Sequence, residues 1–207
     1  MNSPTRHASV RRKTGETSIA VELTLDGLGQ ASIRTGLAFF DHMLHLLARH
    51  SMMNLNIEAT GDLEVDSHHT VEDTGIVLGQ TLHQALGDRA GIVRYGAFLL
   101  PMDETLARVA LDFSGRPLLV FRLAPEIAAA ASASQSGNGF PFGLVEEFLR
   151  AFATHAGLTL HVEIFYGKDP HHWAEAVFKA LARALDAATR IDARAPQAVP
   201  STKGTLV

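Results

Sequence analysis

The sequence predicts an α+β fold built by internal duplication, in which a β-hairpin, a helix, a strand and a second helix occur twice. Each half would lay two helices on a four-stranded sheet. Three observations predict this. Segments of period two alternate with segments of helical period, in one order, in both halves. His50-Ser51-Met52-Met53-Asn54-Leu55-Asn56-Ile57-Glu58 lies over His155-Ala156-Gly157-Leu158-Thr159-Leu160-His161-Val162-Glu163. Each stretch leads to a His-His-x-x-Glu motif, 18 residues after His50 and 16 after His155.

Taken in order, residues 1–10 read as a polar, disordered tail. Residues 18–26 alternate through Ile19, Val21, Leu23 and Leu25, turn at Gly27 and Gly29, and return over 31–35 as a hairpin. Residues 39–50 carry Phe39, Phe40, Met43, Leu44 and Leu47 at helical spacing. A short strand over 54–60 follows. The first motif then opens a helix that runs to Leu86 and closes at Gly87. In the second half, strands are predicted over 94–100, 105–113 and 118–123. Residues 128–139, rich in Ala, Ser and Gly, read as a flexible loop. A helix over 142–156, a strand over 158–165 and a helix from the second motif to Thr189 complete it. The divisions are a tail at 1–10, halves at 11–91 and 92–192, and a C-terminal substrate-binding tail at 193–207.

Composition narrows the class. The chain has 207 residues, 46% of them hydrophobic, and a net charge of −4. Nothing in that balance points to nucleic acid or an anionic membrane. There are no cysteines, so disulfides and thiolate metal sites are excluded, and any metal would be held by nitrogen and oxygen. No targeting or membrane-spanning segment is read, and a cytoplasmic protein is expected.

The motifs are Asp66-Ser67-His68-His69-Thr70-Val71-Glu72-Asp73 and Asp169-Pro170-His171-His172-Trp173-Ala174-Glu175. A helix puts residues i and i+4 on one face and turns neighbours about 100° apart. His68 with Glu72, and His171 with Glu175, can therefore each grip one ion, while His69 and His172 point elsewhere. The alternative is a pair of exposed histidines at each helix start; the second occurrence of one pattern favours metal. The duplication adds two ligand types. His42 lies eight residues before His50, and Glu147 eight before His155. One ion would take His42, His69, His171 and Glu175, and the other Glu147, His172, His68 and Glu72. Whether the halves come from one chain or two is open. Such ligands suit Mn, Zn, Fe, Co or Ni.

Several stretches resemble one known family. Phe40-Asp41-His42-Met43-Leu44, both metal motifs, Arg94-Tyr95-Gly96, Met102-Asp103-Glu104, Phe113-Ser114-Gly115-Arg116-Pro117 and Ser201-Thr202-Lys203-Gly204 look like imidazoleglycerol-phosphate dehydratase, in unbroken order from Arg11 onward. The resemblance implies a fold like domain 2 of ribosomal protein S5, duplicated, and two Mn2+ per active site. It also implies a 24-subunit homo-oligomer with sites between chains. It implies dehydration of imidazole-glycerol phosphate in histidine biosynthesis. It assigns the same eight metal ligands; many members have histidine where this chain has Glu147. It points to Arg94, Arg116, Ser201, Thr202 and Lys203 for the phosphate and adds Lys179 and Glu16 to the substrate contacts. Forked guanidiniums, an ammonium and hydroxyls suit a phosphate dianion.

The implied reaction removes a proton from a carbon that no carbonyl acidifies, while a hydroxyl beside the imidazole leaves. Lewis acids on the ring nitrogens would let the electron-rich ring expel that hydroxyl. A carboxylate would then take the proton and yield an enol that becomes the ketone. Glu16, Glu72 and Glu175 are the acid/base candidates, and Glu16 is preferred because it is not also a ligand. Two other classes compete. A metal-storage protein would need the histidines but not Glu16 or the phosphate groups, and a metallohydrolase would release inorganic phosphate.

Overall fold

A computed structural model describes residues 6–131 and 133–206. The first half contains β1 (His7–Lys13), β2 (Thr17–Thr24), β3 (Ala31–Arg34), α1 (Ala38–Ser51), β4 (Asn54–Gly61) and α2 (His68–Leu86). The second contains β5 (Tyr95–Met102), β6 (Thr105–Asp112), β7 (Leu118–Leu123), α3 (Pro125–Ala131), β8 (Gln135–Ser136), β9 (Phe140–Pro141), α4 (Gly143–Ala156), β10 (Thr159–Tyr166) and α5 (Pro170–Thr189). The α+β class and the duplication are as predicted. The sheets run β1-β2-β4-β3 and β5-β6-β10-β7, which is one topology used twice.

Three expectations are corrected. Residues 1–5 lie outside the described residues, but the rest of the expected tail enters β1, which pairs with β2 in register Val10↔Val21. Hence the first half begins before residue 11. β2 and β3 do not form a hairpin. β3 pairs parallel with β4, Ile33 beside Ile57, and β2 pairs antiparallel with β4 on its other side. A parallel pair needs a crossover, and α1 supplies it; β7, α4 and β10 repeat the arrangement. The stretch 128–139 is not a plain loop. Ala128 to Ala131 belong to α3, and Gln135–Ser136 pairs as β8 with β9 around a 3-10 turn, Gly137–Gly139.

Alternation explains the sheets. Thr17, Ile19, Val21 and Leu23 of β2 point inward, as do Ala107, Val109 and Leu111 of β6. The helices lie between the two sheets. α2 covers the first sheet and α5 the second, while α2 faces α4 and α1 faces α5. This exchange of partners between halves gives the pseudo-two-fold. The α2–α4 contact is close because Gly75 and Gly79 lie on it; a Cβ there would stand 2.7 Å from the Phe148 carbonyl and 2.6 Å from that of Phe152. No helix among the described residues is long and apolar enough to cross a membrane.

Candidate active site

Each motif is seated by an aspartate. Asp169 caps α5 by accepting the His171 backbone N–H at 2.9 Å, with Pro170 at the first helical position. Asp66 accepts the His68 N–H at 2.8 Å ahead of α2. The capped start of α5 brings its first turn against α1. There the ligand-type atoms of His42, His171 and Glu175 all lie within 4.8 Å of one another, the one such group among the described residues. Ligands about 2.1 Å from an octahedral ion stand about 3 Å apart when adjacent and about 4.2 Å when opposite, so this donor set fits a hard or borderline cation.

Glu175 is 8% exposed. Burial pushes its carboxyl up, but the Lys179 ammonium at 2.6 Å, with His171 and His42 beside it, leaves it below the usual range. His171 Nε2 is 3.2 Å from its Oε2. A shelf of aromatics steadies this corner. Phe39 meets His171 edge-on at 5.1 Å and Phe140 of β9 at 5.4 Å, and Ser136 bonds the Pro170 carbonyl at 3.1 Å. The stretch expected to be a flexible loop therefore braces the second motif.

The remaining ligand candidates are placed elsewhere. His68 Nε2 lies 3.6 Å from Glu72, as the helical spacing requires. Glu147 is half-buried on α4 and does not join them within the chain. His69 and His172 turn away from their neighbours toward other carboxylates. The His69 Nδ1 lies 3.0 Å from Asp62, and the His172 Nδ1 lies 2.6 Å from Glu104. These bonds raise the pKa of both rings. The backbone N–H groups of Lys168 and Asp169, then His172, hold Glu104 far below the usual carboxylate range. Glu16 is on the turn before β2, 57% exposed, with His69 3.9 Å away. Next to it, Thr17 donates to the buried Asp73 of α2, which also pairs with Arg12 at 2.5 Å. That anchor fixes the turn beside the first motif.

A second concavity, 640 Å³ in volume, is lined by Arg94, Arg116, Ser201, Thr202 and Lys203, five of the residues expected at the phosphate. Arg94 stands at its back, forked on Asp112 at 2.7 and 3.1 Å and donating to the Pro200 carbonyl at 2.7 Å. Asp112 keeps it firmly charged. Arg89, 3% exposed, fastens the far end of the tail by donating to Leu206 at 3.2 Å. Lys179 is not in this cleft; it sits on Glu175 with the histidine group. Sequence reasoning gave no role to Asp62, Glu104, Asp73 or Arg89. Their one signal was the presence of Glu104 and Asp73 inside motifs.

The family model described as Imidazoleglycerol-phosphate dehydratase matches residues 35–185. The Imidazoleglycerol-phosphate dehydratase of Akkermansia muciniphila is 57% identical over 201 residues, covering 97% of this chain and 100% of that one. That of Azorhizobium caulinodans is 56% identical, covering 97% and 98%. Among solved structures, the Staphylococcus aureus enzyme is 40% identical with a TM-score of 0.77, covering 90% of this chain and 99% of that one. The Pyrococcus furiosus protein is 34% identical with a TM-score of 0.78, covering 95% and 100%.

Proposed function

Since the chain belongs to the imidazoleglycerol-phosphate dehydratase family of hydro-lyases, which act on a small phosphorylated imidazole in histidine biosynthesis, we propose a metal-dependent reaction for it. D-erythro-imidazole-glycerol phosphate becomes imidazole-acetol phosphate and water, with two Mn2+ per active site. The protein would work as a cytoplasmic 24-subunit homo-oligomer whose sites lie between chains. The observation that carries the metal reading is the convergence of His42 from one half with His171 and Glu175 from the other. Held by His42, His69, His171 and Glu175 and by His68, Glu72, Glu147 and His172, the ions would supply Lewis acidity to the imidazole ring.

The chain's own residues do the rest. Arg116, Lys203, Ser201 and Thr202 present charge and hydroxyls to the phosphate and fix the carbon chain relative to the ring. Glu16 comes no closer than 3.9 Å to any ion-pair partner among the described residues and would take the proton from the carbon next to the phosphate-bearing one. Glu72 and Glu175, committed to His68 and to Lys179 and His171, are less free.

A distance supports sites shared between chains. The Arg94 N–H bonds the Ala188 carbonyl at 2.9 Å, near the end of α5, whereas Glu175 is near its start. The thirteen helical steps from Glu175 to Ala188 rise roughly 20 Å at about 1.5 Å each. So small a substrate cannot touch both ends of α5, so its phosphate and its ring would be bound by different chains. The test is ketone formation from imidazole-glycerol phosphate, with Mn2+ and after chelation. Metal-dependent ketone without inorganic phosphate supports the reading; phosphate release would indicate hydrolysis, and metal binding without turnover a storage protein.

A further inference from the structure

His69 and His172 hold corresponding places in the two motifs, and each turns Nδ1 to a carboxylate. The two carboxylates do not hold corresponding places. Glu104 immediately precedes β6, as Glu16 immediately precedes β2. Glu104 is the counterpart of Glu16, yet their surroundings differ. Glu104 is saturated: Oε1 accepts the Lys168 N–H at 2.9 Å and the Asp169 N–H at 3.0 Å, and Oε2 faces His172. Glu16 comes no closer than 3.9 Å to His69. Asp62, just past the end of β4, faces His69 Nδ1 in its place, at 3.0 and 3.2 Å.

We propose that Asp62 and Glu104 are positioning residues that fix the tautomer of His69 and His172, and that Asp62, by serving His69, leaves Glu16 without a structural duty. The assignment rests on the metal reading given above. A neutral imidazole has one N–H, and an ionised carboxylate only accepts, so the proton sits on Nδ1. Nε2 then keeps its lone pair for a cation, and the carboxylate raises its basicity. Both rings are thereby aimed before any ion arrives. The other carboxylate near His172, that of Asp103, is 74% exposed and 3.7 Å from Nε2, too far for a hydrogen bond. The same division explains how one duplicated glutamate became a fixture and the other a candidate base.

Isosteric amides test it. In Asp62→Asn and Glu104→Gln an NH2 that donates to Nδ1 moves the ring proton to Nε2 and blocks the metal-directed atom, whereas an amide oxygen could still accept the Nδ1–H; Asp62→Leu, which can do neither, is therefore measured beside them and decides the outcome. Mn2+ affinity by titration calorimetry and Mn2+ content by mass spectrometry are measured on each variant. The melting temperature of the chelated protein serves as the fold control. The expected result is a 10- to 100-fold loss of affinity, on the order of other metal-supporting partners, with chelated melting unchanged in Asp62→Asn. Glu104 also binds two backbone amides, so a melting loss in Glu104→Gln leaves the decision to Asp62, whose side chain bonds His69 alone among the described residues. An Asp62→Leu affinity within twofold of wild type would overturn the assignment while leaving the metal reading intact. A wild-type protein that binds no Mn2+ would overturn both.

Discussion

Single residues divide into those visible through helical spacing and those that are not. His171 with Glu175 was legible because i and i+4 share a face, while the fixed step of the duplication led from His42 to Glu147. Glu104 was not, because it reaches a histidine 68 residues away from a turn of no regular period. Glu16→Gln should lower turnover about 10²- to 10⁴-fold, the usual share of a general base, while Mn2+ content stays at the wild-type level; a loss of metal would make Glu16 a ligand instead. Glu147 tests the duplication. Leu144, Phe148 and Ala151 are buried on α4, and Glu146 pairs along the helix with Arg150. Glu147→Ala should therefore lose one of two ions and most activity, Glu147→His should keep both, and Glu146→Ala should change little. Two ions retained in Glu147→Ala, measured by mass spectrometry, would place the second site on other residues.

At the scale of elements, the four long helices α1, α2, α4 and α5 and the strands β2 to β7 and β10 were legible to within about two residues, because their apolar periods are unbroken. Pairing was not. β2 and β3 both alternate and are joined by a glycine-bearing turn, which reads as a hairpin; the parallel partner of β3 comes only after α1, and no local pattern announces a crossover. β1 was hidden in a basic run because its outward residues are charged. The alanines of α3 were read as coil although alanine is the best helix former. The α2–α4 crossing gives a prediction opposite in sign to helix propensity. Gly79→Ala should gain about 1 kcal/mol from propensity alone, but its Cβ meets the Phe152 carbonyl. Overpacking costs about 1–3 kcal/mol, so the melting temperature should fall, at about 2–4 °C per net kcal/mol. A rise in calorimetry would show that the helices can part freely.

For the whole molecule, the duplication was legible and the separation of its two sites was not, because sequence gives the length of α5 and not that Arg94 docks at its far end. That separation predicts complementation. His42→Ala chains and Lys203→Ala chains should each be inactive, and mixing them after chelation and restoring Mn2+ should return part of the activity; none returning would argue for sites within single chains. Chelation should also shrink the particle in light scattering, because ions shared between chains would turn binding energy into assembly energy. The grip of Arg94 on Pro200 and of Arg89 on Leu206 has a thermodynamic consequence. Ordering a free backbone costs about 1–2 kcal/mol per residue, and a short segment pinned at both ends has already lost most of that freedom when the chain folds. Phosphate capture by residues 201–205 should accordingly show a small entropic penalty. Releasing one pin, as in Arg94→Lys, should weaken capture through entropy while the enthalpy of the remaining contacts is largely retained.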